Sequence, residues 1–176
     1  PIWNTTTNVF SGQFNVVING DQLANTDDAL TVGVDPTGTY LQLTLNGQTD
    51  LFTAGEVKSI TFNGLSGNDT LTLDMTNGNP LGAGATLTFN GGAGSNTLVG
   101  ANIGNSWQIT GSDAGSLNTS TTFTGVQNLT GTNGINVTST WPGSLVVDGA
   151  PLYATFWYNA TNGSMPFNLA TSYGLP

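Results

Sequence analysis

Apolar and polar residues alternate through most of the chain. Ala29-Leu30-Thr31-Val32-Gly33-Val34, Tyr40-Leu41-Gln42-Leu43-Thr44-Leu45, Ser59-Ile60-Thr61-Phe62-Asn63 and Thr70-Leu71-Thr72-Leu73 each put every second side chain on one apolar face, which is the period of a half-buried β-strand. Gly or Pro interrupts every window of helical length and β-branched residues dominate, so no helix is predicted. Asp35-Pro36-Thr37-Gly38 carries Pro and Gly where a β-turn wants them, and Asn46-Gly47 predicts a two-residue hairpin turn into Gln48-Thr49-Asp50-Leu51-Phe52.

One unit recurs. Ser59-Ile60-Thr61-Phe62-Asn63-Gly64-Leu65-Ser66-Gly67-Asn68-Asp69-Thr70-Leu71 returns 27 residues later, with Leu87-Thr88-Phe89-Asn90-Gly91-Gly92-Ala93-Gly94-Ser95-Asn96-Thr97-Leu98 in the same order of types. The pair Asn19-Gly20 and Asn46-Gly47 has the same spacing and reads as an earlier copy. Thr122 to Thr138 repeats the strand, corner, strand pattern at a longer interval, which an inserted loop around Gly111 to Thr121 accounts for. Such repetition predicts stacked units that bury their apolar faces only against one another. The expected fold is all-β, a parallel β-solenoid (β-helix or β-roll) with atypical terminal caps, Phe62 over Phe89 in one interior column and Leu71 over Leu98 in another. Residues 1–20 read as an N-terminal arm and first strand, 21–140 as the repeats and 141–176 as an aromatic-rich cap, within a single domain.

Charge narrows the partners. One Lys or Arg stands against ten Asp and Glu, for a net charge of −9. With Lys58 the sole cation, binding to a nucleic-acid backbone or to an anionic membrane through basic residues is excluded. No apolar run reaches the ~18 residues that a spanning helix needs, so membrane insertion is not expected. There is no Cys and no His, hence no disulfide framework. A start at Pro1 reads as a processed protein or a piece of a longer one. Asp27 and Asp28 are adjacent, which on a strand sends them to opposite faces. No base has an evident orienting group, so the chain reads as a non-enzyme.

The corner Gly64-Leu65-Ser66-Gly67-Asn68-Asp69-Thr70-Leu71-Thr72 resembles the nonapeptide G-G-x-G-x-D-x-U-x of haemolysin-type (RTX-like) calcium-binding repeats, with Leu65 in place of the second Gly. Gly91-Gly92-Ala93-Gly94-Ser95-Asn96-Thr97-Leu98-Val99 keeps both glycines but has Asn96 for Asp, and Gly131-Thr132-Asn133-Gly134-Ile135-Asn136 is a more eroded third corner. The run from Asn105-Ser106-Trp107 to Gly131 is similar to segments of very large, repetitive bacterial surface and secreted proteins. The resemblance, over about half the chain, implies a parallel β-roll exported from the cell. Its calcium positions are degenerate, because Asn96 and Asn136 replace acids. A ladder of stacked amides is the favoured expectation there; if calcium binds, Asp69, Asp74, Asp27 and Asp28 are its candidate ligands.

Two roles remain open at this point. One is a structural subunit of an extracellular filament, sheath or surface layer, a homopolymer assembled head-to-tail. Its contacts would be the uncharged arm with Trp3, Phe10 and Phe14, and the aromatic stretch with Tyr153, Phe156, Trp157 and Tyr158. The other is an adhesin or calcium-responsive binding module of a larger secreted protein, with glycans as ligands. N-x-[ST] sequons at Asn4, Asn68, Asn118, Asn128, Asn136, Asn159 and Asn162 are candidate glycosylation sites.

Overall fold

The computed structural model describes residues 13–21, 26–101 and 103–131 in full, and the backbone alone of five strands: β1 (Trp3–Asn8), β14 (Asn133–Ser139), β15 (Leu145–Asp148), β16 (Leu152–Ala154) and β17 (Leu169–Ala170). The protein is all-β, with two mixed sheets and no helix among the described residues.

In the first sheet β2 (Gln13–Asn19), β6 (Val57–Asn63), β8 (Thr86–Asn90) and β12 (Thr121–Thr124) lie side by side in parallel. In the second, β3 (Ala29–Val34), β7 (Thr70–Leu73), β9 (Thr97–Val99) and β13 (Asn128–Thr130) do the same, and β15 and β17 continue the run. Register turns the sequence repeat into columns. Ile18, Phe62, Phe89 and Phe123 are successive partners in the first sheet, and Leu30, Leu71, Leu98 and Leu129 in the second. All eight are buried. The expected Phe62–Phe89 column is a parallel ring stack, with centroids 5.1 Å apart and planes 6° from coplanar.

Both turns read from the sequence form. Gly38 N–H donates to the Asp35 carbonyl at 2.9 Å, ahead of β4 (Tyr40–Leu45), which runs antiparallel to β3. Asn46 (φ 49°) and Gly47 (φ 81°) are both left-handed and join β4 to β5 (Gln48–Thr53), as a tight primed hairpin requires. That hairpin also overturns one inference from spacing. Asn46-Gly47 is not a copy of Asn19-Gly20; the partner of Asn19 is Asn63, 44 residues on, whereas Asn63 and Asn90 are 27 apart. The meander through β4 and β5 lengthens the first unit, and equal spacing of two Asn-Gly pairs is coincidental.

The stretch expected as a loop, Gly111 to Thr121, also contains a strand, β11 (Ala114–Leu117). β10 (Gly104–Gly111) and β11 pair antiparallel, β11 pairs with β12, and β10 with β14. The first sheet thus gains two strands between β12 and β14, about 10 Å of width, while β13 pairs directly with β15 in the second. The extra interior is filled by Trp107, the bulkiest fully buried side chain, which meets Phe123 edge-on at 6.1 Å and 73°.

The N-terminal arm is not a free projection. β1 folds back antiparallel on β2, from Trp3 opposite Ile18 to Asn8 opposite Gln13, because its β-prone residues meet a strand edge within their own chain. Of the region expected as a cap, 141–176, only β15, β16 and β17 are described; Phe10, Phe156, Trp157, Tyr158, Asn159 and Asn162 lie outside the described residues.

Candidate functional site

The turns Gly64 to Asp69 and Gly91 to Asn96 stack on one another, with Ser66 bridged to Ala93. Leu65 has φ 76° where Gly92 has 85°, so Leu65 keeps the left-handed backbone of the glycine it replaces, at a cost of about 1–2 kcal/mol. Inside the corner each turn supplies an acceptor to the turn before it. Asp28 N–H donates to Asp69 Oδ1 (2.8 Å), Asp69 N–H to Asn96 Oδ1 (2.8 Å) and Asn96 N–H to Gln127 Oε1 (2.7 Å). Backbone bonds run the other way, from Thr70 N–H to the Asp28 carbonyl and from Thr97 N–H to that of Asp69, both 2.8 Å. Outside this column Asn68 N–H donates to Asp27 Oδ1 (2.7 Å) and Ser95 N–H to Asn68 Oδ1 (2.9 Å).

The third member of the column is therefore Gln127 and not Asn136, which the register places in β14 opposite Ser106 of β10. The turn after β12 is shorter, and the longer Gln side chain reaches back where Asp or Asn served before. The corner column is thus one of backbone N–H groups on side-chain oxygens, not the expected ladder of stacked amides at Asn96 and Asn136; a ladder of side-chain amides stands at other residues. Asn63 Nδ2 donates to Asn19 Oδ1 and Asn90 Nδ2 to Asn63 Oδ1, both at 2.8 Å, and Thr124 Oγ1 closes the row on Asn90 Oδ1 at 3.1 Å. The signal was present as Asn before Gly in each unit: Asn19-Gly20, Asn63-Gly64, Asn90-Gly91.

Of the four candidate calcium ligands, Asp27, Asp28 and Asp69 meet at this corner and Asp74 does not. Asp74 lies at the far end of β7, where Oδ1 accepts Thr76 N–H at 2.8 Å and the Thr76 hydroxyl. Asp21, which pattern reading did not single out, joins instead: its N–H donates to Asp28 Oδ2 at 2.8 Å and its Oδ2 accepts Ser66 N–H at 3.2 Å. Asn46 Nδ2 donates to Asp28 Oδ1. Calcium takes roughly six to eight oxygens. Here most carboxylate oxygens already hold N–H groups, and at the next corner an amide N–H donor, Asn96 Nδ2, occupies the corresponding place. Among the described residues no group of three or more His, Cys, Asp or Glu is arranged to hold a metal ion. The donor set does not fit a calcium cage.

Two acids leave the ordinary carboxylate range in opposite directions. Asp35 is held at about 2 by the Thr37 hydroxyl above all, then by N–H groups of Tyr40, Thr39 and Thr37. Asp69 is pushed up to about 6, first by burial and then by the charges of Asp28, Asp21 and Asp27, against the Asp28 N–H bond that lowers it. The Asp35 contribution is present above its unfolded value of 3.8 and is lost as pH falls toward 2. The Asp69 contribution is present below 3.8 and is lost as pH rises through about 6. Urea unfolding followed by circular dichroism should give maximal stability near pH 4, falling on both sides; a flat profile from pH 4 to 8 would contradict this reading of Asp69.

The other candidate residues are dispersed. Phe14 is half-buried in β2, Trp3 and Asn4 are in β1, and Tyr153 is in β16. Among the sequons, Asn68 is exposed, Asn118 and Asn128 are half-buried and Asn136 is in β14. The side chain of Asn118 accepts Ser106 N–H at 2.8 Å and donates to Asn105 Oδ1 at 3.2 Å. That of Asn128 donates to Ser95 Oγ at 3.0 Å. A sugar on Nδ2 would compete with the bonds that Asn118 and Asn128 donate from that atom, and Asn68 is the most accessible sequon among the fully described residues. Comparison with family models, curated proteins and solved structures returns no match for the chain.

Proposed function

We propose that the chain is a structural subunit of an extracellular filament, sheath or surface layer, built as a β-solenoid whose parallel registers are successive coils and whose antiparallel strands are insertions. The observation that carries this reading is the pair of unbroken in-register columns, one in each sheet, lying between sheet ends that are themselves strands: β1 and β16 in one sheet, β17 and β5 in the other. Stacking by strand addition continues such a column into a neighbour without a new kind of contact. Of the two ends nearer the N-terminus, β1 suits assembly better than β5. Trp-Asn-Thr-Thr-Thr-Asn has no charge, whereas β5 carries Asp50 opposite the buried Leu43, an inward charge of the kind that blunts an edge. Contacts of this type are head-to-tail and give open polymers unless the rotation closes.

The acids of the corner are committed to backbone N–H groups, which supports a non-catalytic role, and the low charge with abundant Thr, Asn and Ser suits a surface exposed outside the cell. Deleting residues 1–14 is a poor test, because it removes a paired strand. Lysines at Asn4 and Thr6, whose register partners are Val17 and Asn15 and not the buried Val16 and Ile18, should leave the core register intact. Electron microscopy and sedimentation at rising concentration should show regular polymers for the native chain and monomers for N4K/T6K. A native chain that stays monomeric, or one that folds only with calcium, would favour the adhesin or calcium-responsive module.

A further inference from the structure

Three glycines, Gly20, Gly64 and Gly91, open the corner of three successive turns, and beside each lies the same pair of atoms. Next to Gly91 they are the Gly125 carbonyl oxygen and Asn96 Nδ2; next to Gly64, the Gly91 carbonyl oxygen and Asp69 Oδ2; next to Gly20, the Gly64 carbonyl oxygen and Asp28 Oδ2. In the first case the pair is a hydrogen bond, since Asn96 Nδ2 donates to the Gly125 carbonyl at 2.9 Å. In the third, Asp28 Oδ2 is satisfied from elsewhere, by Asp21 N–H. In the second, both atoms of the pair are acceptors. Asp69 is 0% exposed and its Oδ2 has no hydrogen-bond partner. A buried oxygen in that position is stable only if a proton lies between it and the carbonyl.

We infer that Asp69 is a protonation site: it sits in the corner as the neutral acid, with Oδ2–H donating to the Gly91 carbonyl as the Asn96 amide donates to that of Gly125, and losing this proton loosens the corner.

The surroundings favour the neutral form from both sides. The preceding turn presents Asp21, Asp27 and Asp28, and the following turn, Gly91 to Asn96, contains no titratable group. Lys58 lies near the start of β6, about 20 Å of strand from the corner, and its Nζ is directed to the Gly84 carbonyl. Ionisation therefore places a carboxylate against a carbonyl oxygen and beside three acids with no nearby cation. Asp69 Oδ1 keeps the Asp28 N–H in either state, so the proton governs the link from this turn to the next. The same column thus has two kinds of joint: permanent at Asn96, and conditional on pH at Asp69. The inference does not depend on whether the chain polymerises.

Carbon-13 NMR of the Asp69 side-chain carboxyl, titrated from pH 3 to 8 in the intact chain, reads the proton directly. A midpoint near 6 is expected, with the protection factors for amide exchange at Asp69 and Thr70, taken against the intrinsic rate at each pH, falling at least tenfold above it. Asp69→Asn supplies the amide already in use one turn later, so its urea midpoint should stay level from pH 4.5 to 7.5 while that of the native chain falls; Asp113→Asn, at an exposed turn, should keep the native slope. A carboxyl that ionises below pH 4.5, or a D69N variant whose stability falls with pH in parallel with the native chain, would overturn the assignment. Should D69N fail to fold, the NMR midpoint of the native protein decides alone.

Discussion

Phe89→Ala should lower the unfolding free energy by about 3–5 kcal/mol, measured by urea denaturation near pH 4, where the highest stability is expected. Phe89 is fully buried, stacks on Phe62, and has Phe123 as its register partner on the other side. Removing it opens the middle of a column rather than its end, and the neighbouring rings are pinned by the strands that carry them, so the cavity cannot close by small shifts. Tyr40→Ala is the control: Tyr40 is 41% exposed on β4, and its loss should cost under about 1 kcal/mol. If the two variants were equally stable, the aromatic column would not be what holds the first sheet against the second.

Gly94→Ala should cost about 4 kcal/mol or more and is expected to leave the chain largely unfolded at 37 °C. Gly94 has φ 117°, a region that side chains avoid, and a methyl there would overlap the carbonyl oxygen of Gly67 in the turn beneath and lie 2.7 Å from its carbon. Both penalties act together, since the obstacle is backbone and cannot swing away. Gly38 separates them. Its φ is 75° with nothing within 4 Å of an added methyl, so Gly38→Ala carries only the conformational penalty of about 1–2 kcal/mol. Thermal unfolding of the two variants reads the difference; equal losses would mean that the stacked turn contributes nothing at Gly94.

The acidic corner was legible only in part. Gly-x-x-Gly-x-Asp marked where the turn would be, and Asp69 was found. That Asp69 accepts Asp28 N–H, that Asp21 joins it and that Asp74 leaves could not be read, because these depend on which residues face each other across units of unequal length. Gln127 was missed for the same reason: nothing local distinguishes a glutamine in a turn from one that reaches back 31 residues to cap Asn96. Asp35 was recognised within its turn but not as the acceptor of three backbone N–H groups.

Period-two alternation and turn chemistry by themselves determined the strands outside the Gly111 to Thr121 stretch, the lack of helix among the described residues, the Asn46-Gly47 hairpin and the inward rows that include Phe62, Phe89, Leu71 and Leu98, because those properties depend on residues within a few positions of one another. Tertiary structure alone decided the 44-residue register between Asn19 and Asn63, the entry of β10 and β11 into the first sheet, and the return of β1 onto its own chain. Each is a choice among strand edges that offer the same N–H and C=O groups. That choice is settled by which pairing buries Trp107, Ile18 and their neighbours together, a sum over the whole molecule that no local pattern contains.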